Sequence, residues 1–201
     1  MSKFNKLFTT LSFFTESPDY FEGGVFHSEM NDEHFNKTTF LNLKSNLIKK
    51  PSFLKYEVFE NSHSFYGESN KTFYLVKDDI IEGAIEIETK SKNNFCLGVW
   101  QRNVPENKGL MRSFFINYLS QIYNSIVSGK TANKFGMSFW KKLLNYFVSN
   151  GLKVTILNGS VNNEEPYNNS TFEDYWTHVK RDKKSVQTFV SGTDKLFKFY
   201  F

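Results

Sequence analysis

The chain has 201 residues, a formal net charge of +4 and one cysteine, Cys96. That length suits a single domain with a substantial core, and a lone cysteine excludes an intrachain disulfide and points to a reducing compartment, the cytoplasm. The mild positive excess favours polyanionic partners without requiring them.

Aromatic residues reach 18% of the chain, with 23 Phe, so rings supply most of the core volume. Alanine occurs at Ala84 and Ala132 alone, so the helices must be held by packing rather than by propensity. The opening MSKFNKLFTTLSFF lacks a continuous apolar stretch followed by a small-residue cleavage site. No run approaches ~20 apolar residues, which predicts no membrane span and no membrane partner.

Residues 1–50 read as a lead-in packed on the core, and residues 51–201 as the main domain. In the lead-in, SPDYFEGG is rich in chain breakers, while Phe40, Leu43, Leu47 and Ile48 fall at helical spacing before Pro51. Strands are expected at 53–60 and 71–79, with NSHSFYGESN as the loop between them. IIEGAIEIET then alternates Ile85 and Ile87 against Ala84, Glu86 and Glu88, and FCLGVWQRN follows a short turn. Connections this short build an antiparallel meander.

After Pro105 the period becomes helical, through Met111, Phe115, Leu119 and Ile122, widened by Phe114 and Tyr118. SIVS at 125–128 is a short apolar strand. A second helix carries Phe135, Phe139, Leu143 and Phe147 to Gly151, and VTIL at 154–157 is a buried strand. STFEDYWTHVK reads as a helix, and LFKFYF as an edge or final strand. The predicted class is α+β: an antiparallel meander followed by strand-helix-strand-helix-strand, giving a mixed sheet with helices packed on it.

The common phosphate-loop, zinc-protease, CxxC and nucleophile-elbow motifs are absent. His27, His34, His63 and His178 are scattered and give no metal-ligand spacing. Glu82, Glu86 and Glu88 are the clustered carboxylates of a core element. Glu86 and Glu88 share a face, where one is a candidate general base if the site is dry; the plainer alternative is the solvent face of an antiparallel sheet.

Residues of roughly 70–160 resemble the GNAT superfamily of acyl-CoA-dependent N-acyltransferases, most of all the divergent versions that bacteriophages carry. Three segments carry the resemblance. QRNVPENKGLMRSFFINYL keeps Gly109 of two expected glycines before a helix, and the resemblance implies that this turn, with Lys108 and Arg112, holds the pyrophosphate of acetyl-CoA or another acyl-CoA. SIVS beside FCLGVWQRN implies two strands that splay, so that the backbone of Val99, Trp100 and Gln101 faces the pantetheine arm. NKFGMSFW places Asn133 and Gly136 as further cofactor contacts, and puts Trp140 where the family's proton-donating Tyr stands.

An indole N–H is a poor acid, so Ser128 is the substitute candidate for a polar catalytic role, beside Glu86 as base. The implied activity is transfer of an acyl group from CoA to an amine of a protein, a small molecule or a nucleobase. The alternative is a catalytically degenerate protein on the same scaffold that binds a host protein or nucleic acid. For the latter, HVKRDKKS at 178–185 is the one dense basic cluster.

Overall fold

The structure, a computed structural model, describes residues 30–65, 68–129, 131–132, 134–158, 163–167, 178–181, 188–191 and 195–201. Among them the chain forms a mixed α+β protein with three α-helices, a nine-stranded and mostly antiparallel sheet, and a separate three-stranded sheet.

Helix α1 (Glu33–Lys44) starts at Asp32, whose carboxylate accepts the Phe35 N–H at 2.8 Å. The sequence suggested a helix running to Pro51, but Ser45 already caps it, and Ile48–Phe53 forms strand β1. Proline is tolerated there because β1 is an edge strand with one neighbour. The single strand expected over 53–60 is broken at Leu54, where φ is 54°, by a two-residue turn into β2 (Tyr56–Phe65).

The polar segment 61–70, expected as a loop, instead continues the ladder from Asn61↔Thr72 to Phe65↔Glu68, the start of β3 (Glu68–Lys77). Backbone pairing to a well-packed neighbour outweighs the polar composition. Asp78 and Asp79, with φ of 55° and 62°, make the tight turn into β4 (Ile80–Lys90). Ser91 and Lys92 then lead into β5 (Asn93–Gln101), completing the expected meander.

Helix α2 (Leu110–Asn117) is shorter than its apolar stripe predicted; a 3-10 turn takes over at Leu119, and Ile122 is exposed. Strands β6 (Ser125–Val127) and β7 (Thr131–Ala132) precede α3 (Lys134–Ser149). Gly151, at φ 65°, closes α3: its N–H bonds Val148 O and that of Leu152 bonds Phe147 O. The remaining strands are β8 (Val154–Asn158), β9 (Asn163–Pro166), β10 (His178–Arg181), β11 (Thr188–Ser191) and β12 (Lys195–Tyr200).

The large sheet runs β1-β2-β3-β4-β5-β6-β12-β8-β9, and β10-β11-β7 form the small one. Two expectations at the C-terminal end are corrected. His178–Arg181 is a strand rather than the end of a helix, the rest of that segment lying outside the described residues. Of the two readings of LFKFYF, edge or final strand, the edge is overturned: β12 is the last strand of the chain but central in the sheet, antiparallel to both β6 and β8, with Phe197 and Phe199 buried on one face and Leu196 on the other.

The two faces of the sheet carry separate cores. Helices α2 and α3 cover Phe73, Leu75, Ile85, Ile87, Ile126 and Phe199, whereas α1 covers Phe59, Tyr74, Val76, Ile81, Ala84 and Trp100. Helix α2 comes so close to β4 that a Cβ on Gly83 would lie 2.4 Å from Met111 Sδ. Among the described residues no helix is long and apolar enough to cross a membrane.

Candidate functional site: a split between two parallel strands and a buried carboxylate beside it

Strands β5 and β6 are the one parallel pair among the described strands, and their register holds at a single pair, Phe95↔Val127. The closed end is clasped by Asn94, whose Nδ2 donates to Ser125 O at 3.0 Å. Beyond Val127 the chain is drawn toward β12 instead: Ser128 N–H donates to Phe197 O at 2.7 Å, and Ser128 Oγ accepts the Phe197 N–H at 3.0 Å. The side of β5 that faces β6 therefore has no strand partner past Phe95 among the described residues. Ser128 is wholly buried, so its hydroxyl fixes where the strands part company.

Residues Val99, Trp100 and Gln101 lie along that free edge. Their side chains are anchored away from it, Val99 against the α2/α3 core and Trp100 in the α1 core, while Gln101 Oε1 accepts the Met111 N–H at 3.3 Å. The bond to Gln101 takes up one of the free donors at the start of α2. Gly109 is the N-cap of that helix at φ 82°, a conformation that favours glycine, and Lys108 and Arg112 beside it are exposed. Gly136 lies half-buried in the first turn of α3, and Asn133 lies outside the described residues.

The turn between β5 and α2 is pinned by a buried polar network that has no local signature in the sequence. A bulge in β4 leaves Glu82 without a cross-strand partner, since Leu75 pairs Gly83 and Val76 pairs Ile81. Its carboxylate accepts from Arg102 Nη1 at 3.2 Å and Asn107 Nδ2 at 2.6 Å; Asn107 Oδ1 accepts from Tyr56 OH at 3.0 Å, and Arg102 Nη2 reaches Glu33 at 2.6 Å. Asn36, fully buried on α1, brackets Ile81 by accepting its N–H and donating to its carbonyl.

Glu86 is the chemically unusual group. It is 2% exposed, which overturns the solvent-face alternative, and neither carboxylate oxygen has a hydrogen-bond partner. Its register partner on β5 is Gly98, and the ladder then jumps from Glu86↔Gly98 to Ile87↔Cys96, leaving Leu97 as a bulge. The missing side chain at Gly98 leaves a cavity of about 10 Å³, lined by Thr72, Ala84, Ile85, Glu86, Gly98, Val99 and Trp100. That is room for about one water molecule. Burial first, and the neighbouring Glu88 second, push the Glu86 carboxyl up to about 8, while its own charge helps to raise the phenol of Tyr74 and the thiol of Cys96.

Trp140 is a core anchor. It is 4% exposed, stacks on Phe199 at 5.9 Å and meets Phe115 and Phe139 edge-on. Phe199 pairs with Ile126, one residue to the closed side of Val127, so the indole packs against the closed end of the split. Glu86 meets β5 at Gly98, the β5 edge is tied to the start of α2 through Gln101 and Met111, and Trp140 lies in the core beneath them with Phe115 and Phe199. The basic segment 178–185 is represented by β10; its other residues lie outside the described ones. No family model, no curated protein and no solved structure matches this chain.

Proposed function

We propose that the chain is an acyl-CoA-dependent N-acyltransferase of GNAT-like arrangement, taking its acyl donor along the free edge of β5 and using Glu86 as general base. The observation that carries this reading is the split itself: parallel strands joined at Phe95↔Val127 and then led apart by the Ser128–Phe197 bonds. An extended arm hydrogen-bonded to β5 behaves as an added strand along an edge that has no strand partner past Phe95 among the described residues. Lys108 and Arg112, on either side of Gly109, suit the phosphates at the far end of such an arm.

Neighbouring strands lie about 4.8 Å apart, so a donor lying against β5 is two spacings from β4. Glu86 faces the β5 edge across the gap at Gly98. In the transfer a C–N bond forms to the amine and the C–S bond of the thioester breaks. The amine proton passes to the Glu86 carboxylate, and the departing thiolate takes a proton from solvent.

The burial of Trp140 at the position where the resemblance implies a proton donor favours a second reading, a binding protein that retains the split but not the chemistry. Acetyl-CoA decides whether the split accepts a donor at all. At ~100 times its dissociation constant it is expected to add about 2.7 kcal/mol of stability, read as a higher melting temperature, and Gly136→Trp is expected to abolish the rise. An unchanged melting temperature at millimolar acetyl-CoA would sink the enzyme reading.

A further inference from the structure

Three buried oxygen atoms on the α1 face of the sheet lack hydrogen-bond donors: both carboxylate oxygens of Glu86 and Oδ1 of Asn70. Asn70 is the register partner of Glu88 and Thr72 that of Glu86, so Asn70 is diagonal to Glu86 on the same face. Leaving such groups unpaired is costly, and a native structure carries few of them. What all three lack is the same thing, an N–H or O–H donor.

The cavity at Glu86 adds shape and polarity to that demand. Apart from the carboxylate and the Thr72 hydroxyl, its walls are Ala84, Ile85, Gly98, Val99 and the indole of Trp100. A divalent metal ion needs about six oxygen ligands, which one carboxylate among apolar walls does not supply. A primary ammonium head is close to a water in size, brings three donors and one positive charge, and is favoured over an indole face. The titratable groups acting on Glu86 are Glu88 on its own strand, Tyr74 on β3 and Cys96 on β5, all acids, and among the described residues no cationic side chain pairs with it.

We propose that this cavity is the acceptor subsite and binds the ammonium head of a small aliphatic primary amine, with the two carboxylate oxygens of Glu86 accepting its hydrogen bonds and Trp100 lining the site beside its charge. This identifies the acceptor of the acyl transfer proposed above and rests on that reading for the reaction, though not for the binding.

A cation seated beside Glu86 favours the ionised carboxylate. The free carboxyl, pushed up to about 8, holds its proton at pH 7 and must release it when the cation enters. Affinity is therefore expected to rise about tenfold per pH unit below pH 8 and to level off above it.

The test is calorimetric titration of the full chain with methylammonium chloride, without CoA, against methanol as the neutral isostere. The ammonium is expected to bind at least about tenfold more tightly, with a heat at pH 7 that varies with the ionisation enthalpy of the buffer and reports release of about one proton. Glu86→Gln should fold with no loss of melting temperature, bind at least about tenfold more weakly and lose the buffer dependence. Equal affinities for amine and alcohol, or unaltered binding by a folded Glu86→Gln variant, would overturn the assignment. Amine binding without an acetyl-CoA response would leave the cation site standing and remove the acyl-transfer reading; an acetyl-CoA response without amine binding would do the reverse.

Discussion

Replacing Trp140 with alanine is expected to lower the free energy of unfolding by about 3–5 kcal/mol, as for other buried aromatic truncations. The indole joins three elements: it stacks on Phe199 of β12 with an interplanar angle of 11°, and meets Phe115 of α2 and Phe139 of α3 edge-on at 5.9 and 4.9 Å. The rings around it are themselves buried and interlocked, Phe115 and Phe147 each packing on Phe199. Collapse into the vacated space is therefore limited, which puts the cost at the upper part of that range. For a domain of this size the melting temperature should fall by roughly 10–15 °C. Urea unfolding of the wild type, Trp140→Ala and Trp140→Phe gives the comparison; the phenylalanine variant keeps the stacking and should lose less than half as much. A loss below about 1 kcal/mol for the alanine variant would mean that the indole is not the anchor of this core.

Glu86→Gln is expected to act in opposite directions on stability and on turnover. In the unfolded chain the carboxyl titrates near its ordinary 4.5, whereas in the folded protein it titrates at about 8. Between those values the folded state holds a proton that the unfolded state has given up, so stability falls as pH rises through the window. The cost is complete above pH 8 and corresponds to roughly 4–5 kcal/mol, an order-of-magnitude figure. Glutamine carries no such cost: the variant should match the wild type near pH 4.5 and exceed it increasingly toward pH 9. The acyl transfer proposed above should slow about 10²–10⁴-fold, the usual contribution of a positioned base, and the rise of the wild-type rate toward pH 8 should vanish. Denaturant midpoints from pH 4.5 to 9 and a pH–rate profile measure both. Parallel stability curves and equal rates would contradict the buried carboxyl as base.

Much of the architecture is legible because its signals are local. The period-2 alternation of Ala84–Glu88, the breaks at Asp78-Asp79 and Ser91-Lys92, and the helical stripe of α3 closing at Gly151 each sit within a few residues of what they determine. What is not legible depends on register. The bulges at Glu82 and Leu97 are set by which residues face each other across strands, and they decide that Glu82 turns to Arg102 and Asn107 and that Glu86 meets a glycine. Alternation alone put Glu86 on one face correctly; it could not tell whether that face was covered.

The same limit explains the ends of the chain. LFKFYF alternates as an edge strand does, but insertion between β6 and β8 buries both of its faces, and that choice is made by the long-range partners Ser128 and Val154. The polar run 61–70 had no apolar stripe to betray the continued β2–β3 ladder. At the site, Ser128 was conspicuous for its hydroxyl, yet its effect is to steer the strand: the Oγ that accepts Phe197 N–H holds β6 against β12 and leaves β5 unaccompanied.

Whether the unaccompanied edge of β5 receives an acyl donor can be read from amide hydrogen exchange of residues 97–101, followed with and without saturating acetyl-CoA. Exchange in that stretch should slow on addition of the thioester, while the amides of the Phe95↔Val127 closed end change little. Unaltered exchange along 97–101 in the presence of saturating acetyl-CoA would contradict a donor site between β5 and β6.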